Sequence, residues 1–489
     1  MTVSVHNPDQ YMASLRQIIA QGRKRIGLLV GAGAPAGIFP PGSDKPLIPA
    51  VAGLTDMVME ALKVDYGKTL DAVRAELETP NIESVLSRVR SLAGVIGKTK
   101  VHDLDGEGYK KLSEAICEQI GTIVNKPLHD GPSAYTEFVT WISGTGREHP
   151  VEIFTTNYDL LFEQALERTR IPFFDGFSGA SEPFFDPSSV ASNDLPARWT
   201  RLWKLHGSLG WAANARGEVV RTGRANATHL VFPEHLKYDQ TQKAPYAALF
   251  DRLRAFLMTP DTLLIATGFS FADAHISARI DECLAANPSA SVFAFQFKPL
   301  EQETHARDIA GRRANMSLYS PDKAMINGIA APWMPGDLPT RDWGAIRATY
   351  WGIDEKSGAA QFQLGRFDRL ARFFASSRAA QHFPPPPPTA ESSTAVPPTR
   401  RKMRRQCHRL VLHELEADIV GARGCRDRRD GQYPAVAECS LRHRHHRRQE
   451  LPHRPGRQFR AHPTGLSRSI RHRCGGWCER NAGGSARAE

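Results

Sequence analysis

The chain has 489 residues and a formal net charge of +11, but residues 401–489 carry 21 Lys+Arg against 9 Asp+Glu while the first 400 balance at 42 against 43. A neutral body gives no electrostatic case for nucleic-acid binding outside that tail, and no run of 18 apolar residues offers a transmembrane helix. Only Cys117 and Cys283 lie in the first 400 residues, which excludes a disulfide-built extracellular domain and predicts a reducing cytoplasm.

Residues 1–24 read as a helix, with Tyr11, Leu15, Ile18 and Ile19 on one face. Ile26 to Val30 reads as a buried strand broken by Gly31-Ala32-Gly33, and is too short for a secretory signal. A helix is expected over 50–64, and amphipathic helices from about 66 to 146. Val151 to Thr155 is the next buried strand, followed by a helix from Tyr158 to Arg168. Leu202 to Leu205, Thr262 to Ala266 and Ser291 to Phe297 are further strands, the last two separated by a helix over about 272–286. Apolar strands alternating with helices predict an α/β fold: a Rossmann-like parallel sheet, helices on both faces, and a helical insertion subdomain. Domains are expected at 1–330, at 331–380 as closing helices, and at 381–489.

Pro384 to Pro388 reads as a stiff linker. Beyond it, an Arg/His-rich block without sustained period predicts a disordered C-terminal tail, a basic arm, a metal-binding module around Cys474 and Cys478, or an out-of-frame reading.

Four polar strand ends stand out. Gly31-Ala32-Gly33 directly follows a strand, as in loops that let backbone amides approach a phosphate; a tight turn explains the glycines equally well. A P-loop at Gly97-Lys98-Thr99 is excluded, because its first glycine position holds Leu92. Thr156-Asn157-Tyr158-Asp159 closes the second strand, where Asn157 or Asp159 either holds a sugar or water or caps the next helix. His206, in Leu205-His206-Gly207-Ser208, is a general base or a structural histidine. Gly268-Phe269-Ser270-Phe271 follows the strand 262–266 and suits a phosphate, a ribose or a capped turn.

These four stretches, in this order, resemble the bacterial SIR2-like branch of the sirtuin superfamily over about residues 20–300. Gly31-Ala32-Gly33 is similar to its GAG loop, Thr156 to Asp159 to its TNYD, Leu205 to Ser208 to its LHGS, and Gly268 to Phe271 to its NAD-lining segment. The cysteine pairs of a zinc ribbon are missing between Cys117 and Cys283, so the resemblance implies no zinc. Its implied activity is NAD hydrolysis to nicotinamide and ADP-ribose, depleting NAD as an anti-phage defence effector. Implied catalytic residues are His206 as base, Asn157 holding water or ribose hydroxyls, and Asp159 orienting the nicotinamide side. Implied NAD contacts are Gly31, Ala32, Gly33, Thr156, Gly268, Ser270 and Phe271, with the pyrophosphate on the glycine loop. The branch also implies a homo-oligomer and a partner such as a HerA-type ATPase, a short Argonaute or a sensor domain. Nucleic acid is expected only through a partner or the basic tail. Alternatives are a protein deacylase or ADP-ribosyl transferase, and a non-catalytic nucleotide sensor.

Overall fold

The computed structural model describes residues 4–223, 245–338, 340, 343–355 and 357–377. The linker and tail expectations lie outside them. The first helix, α1 (Pro8–Gln21), is capped by Asn7, whose side chain accepts from the Asp9 amide. It leads into β1 (Arg25–Val30). The remaining strands are β2 (Glu152–Thr155), β3 (Phe173–Phe174), β4 (Phe177–Ser178), β5 (Phe184–Phe185), β6 (Thr200–Lys204), β7 (Trp211–Ala213), β8 (Val219–Arg221) and β9 (Thr262–Thr267). After these come β10 (Ser291–Phe295), β11 (Met316–Tyr319), β12 (Lys323–Ile326), β13 (Ile329–Pro332), β14 (Trp351–Ile353) and β15 (Ala360–Phe362).

Nine of these strands build the main sheet in the order β13-β12-β11-β10-β9-β1-β2-β6-β3. From β11 to β3 every pairing is parallel. The five strands expected from sequence form its centre. The expected Rossmann-like parallel sheet is thus present, with an antiparallel addition at one edge, where β12 pairs antiparallel with β11 and β13. Their turn is Asn327-Gly328, with φ of 53° and 76°, the backbone a two-residue hairpin requires. The boundary expected at residue 330 therefore falls inside a strand. The closing segment holds two helices, Trp343–Tyr350 and Phe367–Ser376, with the β14–β15 hairpin between them.

Alternate residues of the central strands feed two separate cores. Leu28, Val30, Leu263 and Ile265 join α1, the helical insertion and the last helix. Leu29, Leu264 and Ala266 join the helices Tyr246–Met258, Ala274–Ala286 and Thr304–Arg312. Burial of both parities explains why these strands read as continuous apolar runs.

Between β1 and β2 the insertion runs through five helices of more than one turn: Val51–Ala61, Lys63–Ala75, Ile82–Val95, Gly106–Val124 and Ala134–Ser143. Capping boxes at Asn81/Ser84 and Ser133/Thr136 fix the starts of two of them. The helix expected from Tyr158 begins at Leu161, because Thr156 to Leu160 is held as a loop against β1 and β6.

The two ends of this body are joined by a buried carboxylate. Asp9 takes two bonds from the Arg347 guanidinium, both at 2.7 Å, and one from the Tyr350 hydroxyl at 2.6 Å. The described residues between 331 and 377 therefore belong to the same unit as the sheet.

Candidate active site

β1, β2, β6 and β9 are parallel, so the four polar stretches emerge at the same edge of the sheet. From β1 the chain steps through β2 and β6 to one side, then returns to β9 on the other. The switch point thus lies between β1 and β9, the position where open α/β sheets bind ligands.

At that point two loops meet backbone to backbone. A Cβ on Gly31 would lie 2.4 Å from the Gly268 carbonyl oxygen, and one on Gly268 would lie 2.4 Å from the Ala34 nitrogen. Gly268 also has φ of 62°. This geometry corrects the phosphate-cradle expectation for two donors. The Gly31 amide donates to the Thr267 carbonyl and the Gly33 amide to the Gly268 carbonyl. Among the described residues no backbone acceptor takes the Ala32 amide. The helix that follows, Gly33–Ala36, has only four residues and adds little dipole. The glycines are thus needed first for packing. We expect Gly31→Ala to lower the urea-unfolding free energy by about 1–3 kcal/mol, because neither backbone can retreat.

The second loop is tied to the first. Thr155 Oγ1 donates to the Val30 carbonyl at 2.9 Å and accepts the Asn157 amide at 3.1 Å. Asn157 Nδ2 donates to the Gly31 carbonyl at 3.1 Å. Asn157 and Gly31, far apart in sequence, are therefore in contact. Thr156, half-buried, donates its amide to the Val30 carbonyl at 3.2 Å. Asp159 is buried and accepts the Leu161 amide at 3.1 Å, so it does act at the helix start. Burial pushes its carboxyl pKa up, against the Lys204 charge and the Leu161 amide, which pull it down.

Lys204 ends β6, and its Nζ reaches the Asp159 carbonyl and lies 3.3 Å from Glu163 Oε1. Burial also raises the Glu163 carboxyl, with Lys204 opposing it. Tyr135 lies in the electrostatic field of both acids, its hydroxyl buried without a partner. No local pattern points to this cluster, because Lys204 reads as one more strand residue.

His206 follows two residues later, turned by Gly207 at φ 90°. Its Nε2 lies 3.0 Å from Asp273 Oδ2, with side-chain exposures of 6% and 7%. The two atoms are in contact, but not aligned for a hydrogen bond at Oδ2. The partner carboxylate was missed at the sequence level, although Asp273 stands at an obvious cap position before Ala274. Its Oδ1 accepts the His275 and Ile276 amides at 2.9 and 3.1 Å. Burial pushes the Asp273 pKa up, but contact with His206 and these two amides outweighs it, holding the carboxyl at about 2.

The other two expected contacts of this loop differ. Ser270 is exposed, its hydroxyl accepting the Ala272 amide at 3.4 Å. The Phe271 ring is buried in the core, edge-on to Phe269 at 5.0 Å, so it shapes the loop without lining its surface. Thr267 Oγ1 is buried at the switch point without a partner. Among the described residues no group of three or more His, Cys, Asp or Glu could hold a metal ion. No helix among them is long and apolar enough to cross a membrane.

A sheet of this order, with its polar loops gathered at the switch point, defines a Rossmann-like α/β fold. The model of the SIR2-like domain family matches residues 151–317. That span holds three of the four loops and leaves Gly31–Gly33 outside. The resemblance read from the sequence thus stands at the level of the SIR2-like domain. Comparison with curated proteins finds no match. Among solved structures the chain is similar to one reported as "Structural Basis for the Mechanism and Regulation of Sir2 Enzymes". The likeness covers 60% of this chain and 89% of that chain, at 13% identity and a TM-score of 0.28.

Proposed function

We propose that the protein is an NAD hydrolase that releases nicotinamide and ADP-ribose, acting as a defence effector through NAD depletion. The observation that carries this reading is the buried His206–Asp273 pair, set at the same sheet edge as Asn157 and the switch-point loops. The residues present suit a dinucleotide. The Ala32 amide and the unpartnered Thr267 hydroxyl offer donors where a pyrophosphate or ribose would lie.

The reaction breaks the bond between nicotinamide and ribose C1′ and adds water at that carbon. Positive charge develops on the sugar, as in glycoside hydrolysis. His206 takes the proton of the attacking water. Asn157, fixed by Gly31, orients the ribose hydroxyls. The Asp159 carboxyl, kept ionisable by Lys204, offsets the developing charge. An oligomeric assembly and an activating partner belong to the same proposal, since uncontrolled NAD cleavage is toxic.

The test is to incubate the full-length protein with NAD and to follow nicotinamide and ADP-ribose by chromatography. Release of both supports the reading. Nicotinamide release only with an acetylated peptide would replace it with deacylation. NAD binding without products would replace it with a sensor.

A further inference from the structure

We propose that Asp273 is the positioning residue for His206, fixing its ring with Nε2 protonated so that Nδ1 is the atom that takes the proton. The inference rests on the hydrolase reading for its chemistry, but on geometry alone for the pairing.

Asp273 divides its two oxygens between two tasks. Oδ1 caps the helix Ala274–Ala286 by accepting two amides. A cap needs no more than that. Oδ2 has no part in the cap and is buried 3.0 Å from the histidine ring.

The loop that delivers Asp273 is held in a costly shape. Phe271 has φ of 59°, the left-handed region that a bulky side chain disfavours. The surroundings enforce it: Ser277 Oγ donates to the Phe271 carbonyl at 2.7 Å, and the Phe271 ring is sealed in the core. Such conformations persist where the rest of the structure over-determines them. Here the effect is to bring a helix N-cap against a residue in the turn after a different strand, 67 positions earlier in the chain.

The chemical consequence follows from the ring. A carboxylate beside Nε2 favours the tautomer with hydrogen on that nitrogen, which leaves the lone pair on Nδ1. Among the described residues Nδ1 has no protein partner. After proton transfer the same carboxylate stabilises the imidazolium. Contacts of this kind often align only once substrate is bound.

The deciding experiment is nitrogen NMR on the full-length protein labelled at histidine, with the His206 signals assigned by their loss in His206→Gln. Asp273→Asn is the test variant, because asparagine caps helices as well as aspartate and the helix start is retained. Wild type should show the Nε2–H tautomer at His206, and Asp273→Asn should lose that preference. Its kcat for NAD cleavage should fall by about 10²–10⁴, with KM little changed. A His206 tautomer identical in both proteins overturns the proposal, whatever happens to kcat. A changed tautomer in a protein that never cleaves NAD leaves the positioning in place and defeats the hydrolase reading instead.

Discussion

His206→Ala is expected to lower NAD cleavage by about 10²–10⁴ while leaving the protein folded. The rate loss follows from removing the only basic group that the described LHGS loop presents. The stability loss is smaller and has a different origin. Without the ring, Asp273 Oδ2 is buried with no partner, a cost of about 1–3 kcal/mol. Domains of this kind have roughly 5–15 kcal/mol in reserve, so the fold survives.

The two effects separate by pH. Asp273 has a folded pKa of about 2 against an ordinary 3.8. The folded state therefore binds fewer protons than the unfolded chain between those values, and stability rises with pH there. The contribution is fully present above about pH 4 and is lost as pH falls through 2. In His206→Ala that acid-side dependence should shrink, which urea unfolding at pH 3 and pH 7 measures. A variant that keeps wild-type NAD cleavage removes His206 from the mechanism.

Lys204→Met is expected to have the largest effect on stability, about 3–5 kcal/mol. Lys204 is 2% exposed and stands between Glu163 and the Asp159 backbone. Replacing it with an apolar chain of similar length fills the space but leaves the buried Asp159 and the half-buried Glu163 without their cation. Both carboxyls already have raised pKa values from burial, and Lys204 is the main opposing charge. Raised folded pKa values mean that the folded state binds more protons than the unfolded one, so stability falls as pH rises through the window. In the variant both pKa values move further up. The destabilisation should therefore be larger at pH 7 than at pH 5, compared by urea unfolding. An equal loss at both pH values would show that the acids are not the source.

The position of Lys204 illustrates how much was legible beforehand. Ile26 to Val30 and Thr262 to Ala266 announced themselves as buried strands because both faces of each are apolar. The helices were legible through their periodicity and caps. The antiparallel edge was overlooked, although Ile326-Asn327-Gly328-Ile329 carries the turn chemistry of a two-residue hairpin. Phe271 read as a ligand contact and proved to be core, because a loop residue's side-chain direction is set by φ and not by its neighbours in sequence.

The amino-acid sequence by itself determined the alternation of strands and helices, the helical insertion, and the placing of Gly31, Asn157, His206 and Gly268 at strand ends. Each of these follows from local pattern: burial period, turn residues and the point where an apolar run stops. Only the tertiary structure decided what those residues face. It set the Gly31 and Gly33 amides on backbone carbonyls, joined Asn157 to Gly31, placed Lys204 between two acids, and brought Asp273 to His206. These pairings depend on strand order and on the path of a strained turn. Both are products of packing the whole chain, and no local pattern encodes them.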